Sequence, residues 1–249
     1  MRAVVVLPTY EERENLAPMA EALLALPGEY AVIVVDDGSP DGTGAAADEI
    51  ARRRPDRVTA IHRERKEGLG RAYAEGFARA LASGAELVFQ MDADFSHDPA
   101  ALPALRAPLE AGEADLVLGS RYVPGGGVSG WSLPRRLLSR WGAFYSRVLL
   151  RLPVRDLTGG FKGWRRDLLA AADPGSAAAR GYSFQVETTL RAARAGARIR
   201  EVPITFTERR AGRSKMTPGI ALEAAWRVPL LALRPPRVAP LPRPGGRPA

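Results

Sequence analysis

The segment YAVIVVDDGS, residues 30–39, joins an apolar run to two acidic residues and a glycine. The uncharged residues 30–35 are typical of a buried strand, and the acidic pair and glycine after them favour a turn. A similar apolar run at residues 3–7 precedes the polar sequence PTYEE, residues 8–12. The chain is therefore expected to begin with two buried strands, each followed by a polar loop.

Three further apolar runs recur along the first half, at residues 58–62, 87–91 and 116–119. Between the runs, apolar residues fall at the spacing of a helix face, as at residues 16–24 and 70–82. Alternation of strand and helix requires right-handed crossovers and produces a mostly parallel sheet with helices on both faces. The first half therefore predicts an α/β fold.

Ligands of such sheets bind beyond the carboxyl ends of the strands, and four polar clusters stand at those ends. They are residues 8–12 after the first strand, 36–39 after the second, 92–94 after the fourth and 119–121 after the fifth. We therefore expect four loops to converge on one edge of the sheet.

Asp92 and Asp94, in MDADFSHDP (residues 91–99), are the candidate metal ligands. Side chains two apart on an extended segment point the same way, so both carboxylates can reach one cation. Oxygen ligands favour Mg²⁺ or Mn²⁺, which take one or two carboxylates together with substrate phosphates. The other interpretation is a solvated or structural pair at the end of a strand. His97 is expected to start or cap a helix rather than to bind a metal.

The acidic turn at residues 36–39 also has two interpretations. Its carboxylates can accept hydrogen bonds from ribose hydroxyls or a base edge, while Gly38 permits the tight turn into the next helix. Alternatively, it is an Asp-rich turn that caps that helix. Together with Asp92 and Asp94, the first interpretation predicts a nucleoside diphosphate whose phosphates meet the metal.

Composition narrows the classes of partner. The chain has 249 residues, 46% of them apolar, which is enough for one well-packed α/β domain or two small ones, and one domain with a tail is expected. Its net charge of +8 suits phosphate-bearing partners or an anionic membrane surface, although a genomic bias towards arginine would produce it as well. With no cysteine, disulfides, thiolate metal sites and cysteine nucleophiles are excluded.

No segment predicts a leader or a membrane span. Residues 3–7 are too short for the core of a signal peptide, and residues 220–233 are interrupted by Glu223, Arg227 and Pro229. The expected location is therefore cytoplasmic.

An arginine-rich amphipathic stretch at residues 131–152 follows the glycines of residues 125–127. It is either a core-facing helix with a solvated basic face or an interfacial helix on anionic lipid. Trp226 and the leucines near it form a second candidate contact. The arginines of the stretch are Arg135, Arg136, Arg140 and Arg147, and its apolar residues are Leu137, Leu138, Trp141, Phe144, Tyr145, Val148 and Leu149.

The remaining patterns predict a helix at residues 183–195 and a strand at residues 199–206. From Pro235 the chain is rich in proline, glycine and arginine and is expected to be disordered.

The chain contains, in this order, PTYEERENL, VVDDGSPDGT, MDADFSHDP, GSRYVPGGGV, DLTGGFKGWRR, GYSFQVETTLRA and EVPITFTERRAGRSKM. Together these stretches resemble glycosyltransferase family 2, and more narrowly its polyprenyl-phosphate (dolichyl-phosphate) mannosyltransferases. The resemblance runs from about residue 4 to residue 216. It implies a GT-A fold, with a Rossmann-like, mostly parallel central sheet flanked by helices. It also implies inverting transfer of mannose from GDP-mannose to a polyprenyl phosphate.

The resemblance assigns the donor site residue by residue. The diphosphate and its Mg²⁺ or Mn²⁺ would be flanked by Asp92 and Asp94, with the backbone of Ala93 against the nucleotide. Ser96 would be a third metal ligand, at a position where some relatives carry Gln. Five residues would hold the nucleoside: Pro8, Tyr10, Glu12, Val35 and Asp37.

The same resemblance implies the reacting groups. Arg121, Arg209 and Lys215 would hold phosphate charge of donor and acceptor and, with Asp94, form the catalytic set. No general base is expected, because a phosphate monoester is already anionic at neutral pH. Asp156 and Glu187 match positions near the acceptor side, where either could serve to order the arginines.

Three ranges follow as expected domains: a catalytic domain at residues 1–216, an amphipathic membrane-surface helix at 217–234 and a disordered tail at 235–249. Many relatives append transmembrane helices, which this sequence does not show. The expected enzyme is therefore peripheral on the cytoplasmic face of the membrane, depends on a separate membrane-anchoring partner, or uses a soluble acceptor.

Three rival functions stay open. A family 2 transferase could use UDP-glucose or another sugar nucleotide on a different acceptor. A nucleic-acid-binding protein would suit the basic charge, but the richest motifs are acidic and few aromatic residues interleave with the arginines, so no nucleic-acid partner is expected. A catalytically inactive scaffold is disfavoured because both carboxylate pairs are present.

Overall fold

A computed structural model of the chain describes residues 1–177, 183–208 and 218–242. The strands of these residues are β1 (Ala3–Thr9), β2 (Tyr30–Asp36), β3 (Val58–His62), β4 (Leu87–Gln90), β5 (Leu116–Ser120), β6 (Gly127–Ser129), β7 (Lys162–Arg165), β8 (Ile199–Pro203) and β9 (Thr205–Thr207). The helices are α1 (Arg13–Ala25), α2 (Thr43–Arg53), α3 (Leu69–Ala82), α4 (Leu102–Glu110), α5 (Leu133–Leu150), α6 (Arg166–Ala172), α7 (Ser183–Arg194) and α8 (Pro218–Leu233).

Seven strands form one sheet in the order β3-β2-β1-β4-β7-β5-β8. Six of them run in one direction, and β7 runs antiparallel between β4 and β5. The predicted α/β fold with a mostly parallel sheet is thus confirmed. Because β1 has β2 on one side and β4 on the other, the chain order reverses here, and a crevice is expected at the carboxyl ends of these strands.

Strand β1 shows why the sheet is buried on both faces. Val4 and Val6 belong to the core that includes α3, whereas Val5 and Leu7 belong to the core that includes α1. Alternate side chains point to opposite faces of a strand, so an uninterrupted apolar run places β1 between two layers of helices.

The second half departs from the prediction in two places. Strand β7 was not predicted, because a four-residue strand with the sequence KGWR carries charge at both ends and shows no apolar run. The strand expected at residues 199–206 divides at Ile204 into β8, which extends the main sheet, and β9, which pairs with β6.

The amphipathic stretch forms α5, which packs against α8. Its buried residues are Ala143, Ser146 and Leu150, so the core-facing interpretation of the apolar stripe is wrong. The stripe is instead exposed at Leu137, Leu138, Trp141, Phe144, Val148 and Leu149. Among the described residues, none of the helices combines the length and apolar character needed to cross a bilayer.

Part of the predicted tail contacts the domain. Arg194 donates from Nε to the carbonyl oxygen of Pro236 (3.0 Å), and the Leu241 amide donates to the carbonyl oxygen of Ala195 (2.8 Å). Residues 235–242 therefore lie against the C-terminal end of α7, although they form neither helix nor strand.

Candidate functional site at the carboxyl edge of the sheet

The strand register brings the predicted loops together. Thr9 at the end of β1 pairs with Asp36 at the end of β2, and Gln90 at the end of β4 pairs with Lys162. Lys162 also pairs with Leu118 of β5. The loops after β1, β2, β4 and β5 thus share one edge, as predicted. Because β7 is antiparallel, the DLTGG loop that precedes it reaches the same edge.

The two interpretations of the acidic turn are divided between its two aspartates. Asp36 serves the turn: its carboxylate accepts from the Ser39 hydroxyl (2.6 Å), the Ser39 amide (3.0 Å) and the Thr9 hydroxyl (3.1 Å). Gly38 has a φ of +67°, which only glycine adopts readily. Asp36 and Gly38 therefore set the path of the loop, whereas the side chain of Asp37 pairs with an arginine outside the turn.

Asp37 lies in a buried charge network that the sequence analysis did not foresee. Its carboxylate pairs with the buried guanidinium of Arg63, which also contacts Glu67 at 2.9 Å and Glu75 at 3.2 Å. Burial raises the pKa of Asp37, and the adjacent Arg63 offsets part of that effect. Since Arg63 follows β3, only the tertiary structure brings this cation to the acidic turn.

The other predicted nucleoside residues surround this turn with different exposures. Pro8 and Tyr10 are half-buried, and the ammonium of Lys66 lies 3.8 Å from the centre of the Tyr10 ring. Glu12 is buried and accepts from Asn15 Nδ2 at 2.8 Å. The side chain of Val35 is fully buried in the core, so only its backbone is available to a nucleoside.

The turn that carries Asp92 and Asp94 begins one residue earlier than predicted, because β4 ends at Gln90. Asp94 is buried, and its Oδ1 accepts the backbone amide of Ser96 at 3.0 Å. Phe95 between them has a φ of +60°, a strained conformation for a residue with a side chain. Such strain is typical of functional turns. Ala93 and Ser96 are buried in the same turn.

Tyr73 on α3 shows that both carboxylates act on one region. Its buried hydroxyl has no hydrogen-bond partner among the described residues. Burial raises its pKa well above the usual value, and the negative charges of Asp92 and Asp94 raise it further. Both aspartates therefore lie near enough to Tyr73 for their charges to act on its hydroxyl.

His97 orients this turn rather than starting a helix. Its Nδ1 accepts the backbone amide of Asp92 at 3.1 Å, and its ring lies 5.1 Å from the rings of Phe161 and Phe206. Burial lowers the pKa of His97 to about 4, so the ring is neutral at pH 7. Asp98, not His97, caps the short turn that follows, by accepting the Ala100 amide at 2.9 Å.

The donor set fits a hard divalent cation completed by its substrate. Two carboxylates and the Ser96 hydroxyl offer oxygen ligands, and Nδ1 of His97 is engaged with the backbone. Within the described residues, no three His, Cys, Asp or Glu side chains form a metal cage. That arrangement suits Mg²⁺ or Mn²⁺, which take one or two carboxylates and leave positions for water and phosphate oxygens.

Arg121 lies at this edge but pairs with Asp156 from the DLTGG loop. Its Nε and Nη2 donate to the two carboxylate oxygens at 2.7 Å each, and Nη2 also donates to the Thr158 hydroxyl at 2.8 Å. Burial alone would raise the pKa of Asp156, but the Arg121 guanidinium outweighs it and holds the pKa below its usual range. The charge of Arg121 is therefore compensated within the protein.

The remaining predicted residues are only partly described. Glu187 is buried in α7 and accepts from Arg191 Nε at 3.2 Å. Asp156 and Glu187 thus each pair with an arginine of the chain. Arg209 and Lys215 lie outside the described residues.

The mostly parallel sheet is covered on both faces, and its strand order reverses where the acidic turn and the carboxylate pair lie, which is the usual place for a ligand in an α/β protein. The sequence model of Glycosyl transferase family 2 matches residues 4–171. The chain belongs to this family.

Two curated relatives match almost the whole chain. The polyprenol monophosphomannose synthase of Mycolicibacterium smegmatis is 46% identical over 227 residues, which cover 91% of this chain and 85% of the relative. The undecaprenyl-phosphate mannosyltransferase of Micrococcus luteus is 46% identical over 228 residues, covering 92% and 93% of the two chains.

Solved structures support the GT-A fold. Glucosyl-3-phosphoglycerate synthase of Mycobacterium tuberculosis, in complex with Mn²⁺, UDP and glucosyl-3-phosphoglycerate, aligns with a TM-score of 0.64 at 24% identity. The alignment covers 93% of this chain and 78% of that chain. The same enzyme with Mg²⁺ and UDP aligns with a TM-score of 0.62 at 24% identity, over the same shares of the two chains.

Proposed function

We propose that this protein transfers mannose from GDP-mannose to a polyprenyl (dolichyl) monophosphate, with inversion and with Mg²⁺ or Mn²⁺. The observation that carries the proposal is the carboxylate pair at the reversal point of the sheet, in a chain 46% identical to two enzymes named for this chemistry. The acidic turn at Asp37, separated from the pair by one strand at the same edge of the sheet, supports a nucleotide donor.

In the proposed reaction a phosphate oxygen of the acceptor attacks the anomeric carbon of mannose. The bond from that carbon to the diphosphate oxygen breaks, and GDP leaves with the electron pair. The acceptor is an anion at neutral pH, so no side chain has to remove a proton. The difficulty is the approach of two anions, and positive charge at the site must reduce their repulsion.

We assign the residues as follows. Asp92, Asp94 and Ser96 would hold the metal, which when bound neutralises charge that develops on the departing diphosphate. Asp37 would accept from the nucleoside, with Pro8, Tyr10, Glu12 and the backbones of Val35 and Ala93 around it. Arg209 and Lys215 would hold phosphate charge. For Arg121, pairing with Asp156 favours positioning of the loops over direct neutralisation of a phosphate.

The test is transfer of radiolabelled sugar into organic-extractable lipid by purified protein with polyprenyl phosphate and Mn²⁺ or Mg²⁺. GDP-mannose and UDP-glucose are compared in parallel. We expect label from GDP-mannose alone and its loss with EDTA. Label from UDP-glucose alone would show that the donor is UDP-glucose instead of GDP-mannose. No lipid label from either donor would reject polyprenyl phosphate as the acceptor.

A substitution of Arg209 tests the phosphate role that we propose for Arg209 and Lys215. We expect Arg209→Ala to reduce turnover about 100-fold, since single electrostatic donors contribute about 3 kcal/mol, without lowering the melting temperature. Arg198→Ala, at the opposite edge of the sheet, is the control and should retain turnover. A parallel fall of turnover and melting temperature would make Arg209 structural.

We further propose that α5 and α8 lie on an anionic membrane surface. Trp141 and Phe144 of α5 are 58% and 62% exposed, and Trp226 of α8 is 54% exposed. Large exposed apolar patches mark interaction sites. Arg136 and Arg140 are exposed on the same helix, which matches a basic amphipathic helix that binds acidic lipid.

Cosedimentation with phosphatidylglycerol and phosphatidylcholine vesicles tests this membrane contact. Loss of two basic residues should weaken binding to the acidic vesicles about tenfold or more, because each contributes about 1 kcal/mol near such a surface. The variant is Arg136→Gln with Arg140→Gln, and the control with the same change of net charge is Arg52→Gln with Arg53→Gln on α2. Equal weakening in both would indicate general attraction and contradict the assigned surface.

A further inference from the structure

The side chain of Gln185 ends a buried hydrogen-bond chain at the wall of the site. Trp164 Nε1 donates to Gln90 Oε1 at 3.0 Å, and Gln90 Nε2 donates to Gln185 Oε1 at 2.9 Å. All three side chains are at most 2% exposed. Gln90 is the last residue of β4, and Gln185 lies in the first turn of α7. The chain of bonds therefore joins the strand that leads into the carboxylate pair to a helix far away in sequence.

Trp164 sets the direction of these bonds. An indole nitrogen can only donate, so Gln90 must turn its oxygen to Trp164 and its NH₂ group to Gln185. Gln185 must then turn its oxygen to Gln90, which leaves Nε2 facing away. That nitrogen is buried and has no hydrogen-bond partner in the part of the chain that the structure describes.

The unpartnered nitrogen faces the candidate site. A cavity of about 40 Å³ is lined by Gln185 together with Asp92, His97 and Arg121. A Cβ built on Gly160 would lie 3.5 Å from Gln185 Nε2, 3.6 Å from His97 Cε1 and 3.8 Å from Asp92 Oδ1. One small space therefore has an amide donor on one side and a carboxylate acceptor of the proposed metal pair on the other.

The groups that line this cavity determine which chemical group of a ligand can bind there. A buried donor without a partner costs about 1 to 3 kcal/mol, so a bound group should accept from Gln185. A hydroxyl can accept from Nε2 and donate to Asp92 at once, whereas a phosphate oxygen can only accept and would meet a carboxylate of like charge. The volume is enough for a hydroxyl or a few waters.

We propose that Gln185 is a specificity-determining residue that donates from Nε2 to one hydroxyl of the donor's hexose, which in turn donates to Asp92. The inference rests on the proposed sugar transfer and adds to it the group that recognises the sugar. The backbone of Gln185 is also held in place, since its backbone carbonyl oxygen accepts from Lys162 Nζ (2.7 Å) and from the Thr189 hydroxyl (3.0 Å).

The experiment is a thermodynamic cycle that combines a substitution in the protein with removal of one hydroxyl from the sugar. Affinities are measured by calorimetry with Mn²⁺ and no acceptor, for the intact sugar nucleotide that the wild type binds and its 2-, 3-, 4- and 6-deoxy analogues. Gln185→Glu keeps an oxygen for Gln90 and removes the donor that faces the cavity, and its added negative charge acts on the intact donor and on every analogue alike. We expect wild type to bind one analogue about tenfold more weakly, and Gln185→Glu to lose at least as much on the intact donor.

The deciding result is how these losses combine. Gln185→Glu should bind the discriminated analogue and the intact donor with about equal affinity, because the hydrogen bond that distinguishes them is already missing. Losses that multiply on every analogue, or unchanged binding of the intact donor, would overturn the assignment and leave an ordered water as the cavity's occupant. If the cycle gives the expected result but the lipid-labelling assay fails, only the proposed polyprenyl-phosphate acceptor is rejected. If the wild type binds no sugar nucleotide, both proposals are rejected.

Gly160→Ala keeps the inference testable if Gln185→Glu does not fold. Its added methyl meets atoms at ordinary contact distance but fills the space between Gln185 Nε2 and Asp92. We expect weaker binding of the intact donor and little further loss on the same analogue. Gly127→Ala, whose methyl would meet no atom within 4 Å, is the control. Retained discrimination in Gly160→Ala would also overturn the proposal.

Discussion

Two arginine–aspartate pairs flank strand β5, one at each end, with the same bidentate geometry. At the carboxyl end, Nε and Nη2 of Arg121 donate to the two oxygens of Asp156 at 2.7 Å each. At the amino end, Nε and Nη2 of Arg198 donate to the two oxygens of Asp115 at 3.0 and 2.7 Å. The side chain of Arg198 is 59% exposed, whereas that of Arg121 is 3% exposed.

The difference between the two pairs is therefore one of solvent, not of geometry. Solvent reaches the Arg198 pair only from the arginine side, because the side chain of Asp115 is 9% exposed. Water that screens one partner still weakens the pair relative to a pair that is buried on both sides. A buried pair carries the desolvation penalty of both charges and is fragile when one partner is removed. The carboxyl edge also buries Asp37, Asp94 and Lys162. Such concentration of buried charge at one edge is typical of a functional site.

The largest expected effect is on catalysis at the carboxyl edge. We expect Asp94→Asn to reduce kcat/KM for sugar transfer at least about 100-fold, because the neutral amide is a poor ligand for a cation that stabilises departing charge. The remaining oxygen still accepts the Ser96 amide, so the melting temperature should hold. Asp115→Asn, at the other end of β5, is the control, and similar turnover in the two variants would contradict the metal assignment.

The next effect compares the stabilities of the two pairs directly. We expect Arg121→Met to lower the free energy of unfolding by about 3 to 5 kcal/mol, since it leaves Asp156 buried without its cation. Arg198→Met should lower it by less, because water that reaches the exposed Arg198 site can solvate part of the Asp115 carboxylate, which is itself buried. Urea denaturation measures both. Equal losses would show that burial does not distinguish the two ends of β5.

Lys162 links the buried edge to pH. Burial lowers its pKa to about 7, an effect that Asp156 partly offsets, whereas an unfolded lysine titrates at about 10.4. Between these values the unfolded chain holds more protons, so stability rises with pH. We expect wild type to gain about 1.4 kcal/mol per pH unit relative to Lys162→Met between about pH 7.5 and 9.5. Parallel pH profiles of the two proteins would mean that Lys162 stays charged in the fold.

The smallest expected effect is a difference in stability between alanine substitutions in two glycine turns at opposite edges of the sheet. Gly38 after β2 and Gly84 before β4 both have positive φ, at +67° and +79°. A methyl at Gly38 would lie 3.1 Å from the Glu64 carbonyl oxygen, whereas one at Gly84 meets no atom within 4 Å. We expect Gly84→Ala to cost about 1 kcal/mol, from φ alone, and Gly38→Ala to cost more. Thermal unfolding measures both variants. A larger loss of stability in Gly84→Ala than in Gly38→Ala would contradict the effect of the close contact at Gly38.

How far the sequence predicted the site depended on the range of each interaction. The acidic turn at Asp37 and the pair at Asp92 and Asp94 were found because each follows a local apolar run. Gln185 was not assigned a role, although it lies in the quoted stretch GYSFQVETTLRA, because its partner Gln90 is 95 residues away. That stretch and a polar residue at the end of the apolar run of β4 were the available signals.

The sequence by itself determined the alternation of strands and helices, the edge at which polar loops meet and the membership of glycosyltransferase family 2. These follow from periodic burial and from short motifs, which depend on neighbouring residues. Only the tertiary structure decided that β7 enters between β4 and β5, that Arg121 pairs with Asp156, and that the apolar face of α5 is exposed. These features depend on contacts between distant segments, because the free energy of a buried charge or an unpaired amide is set by what the fold places beside it.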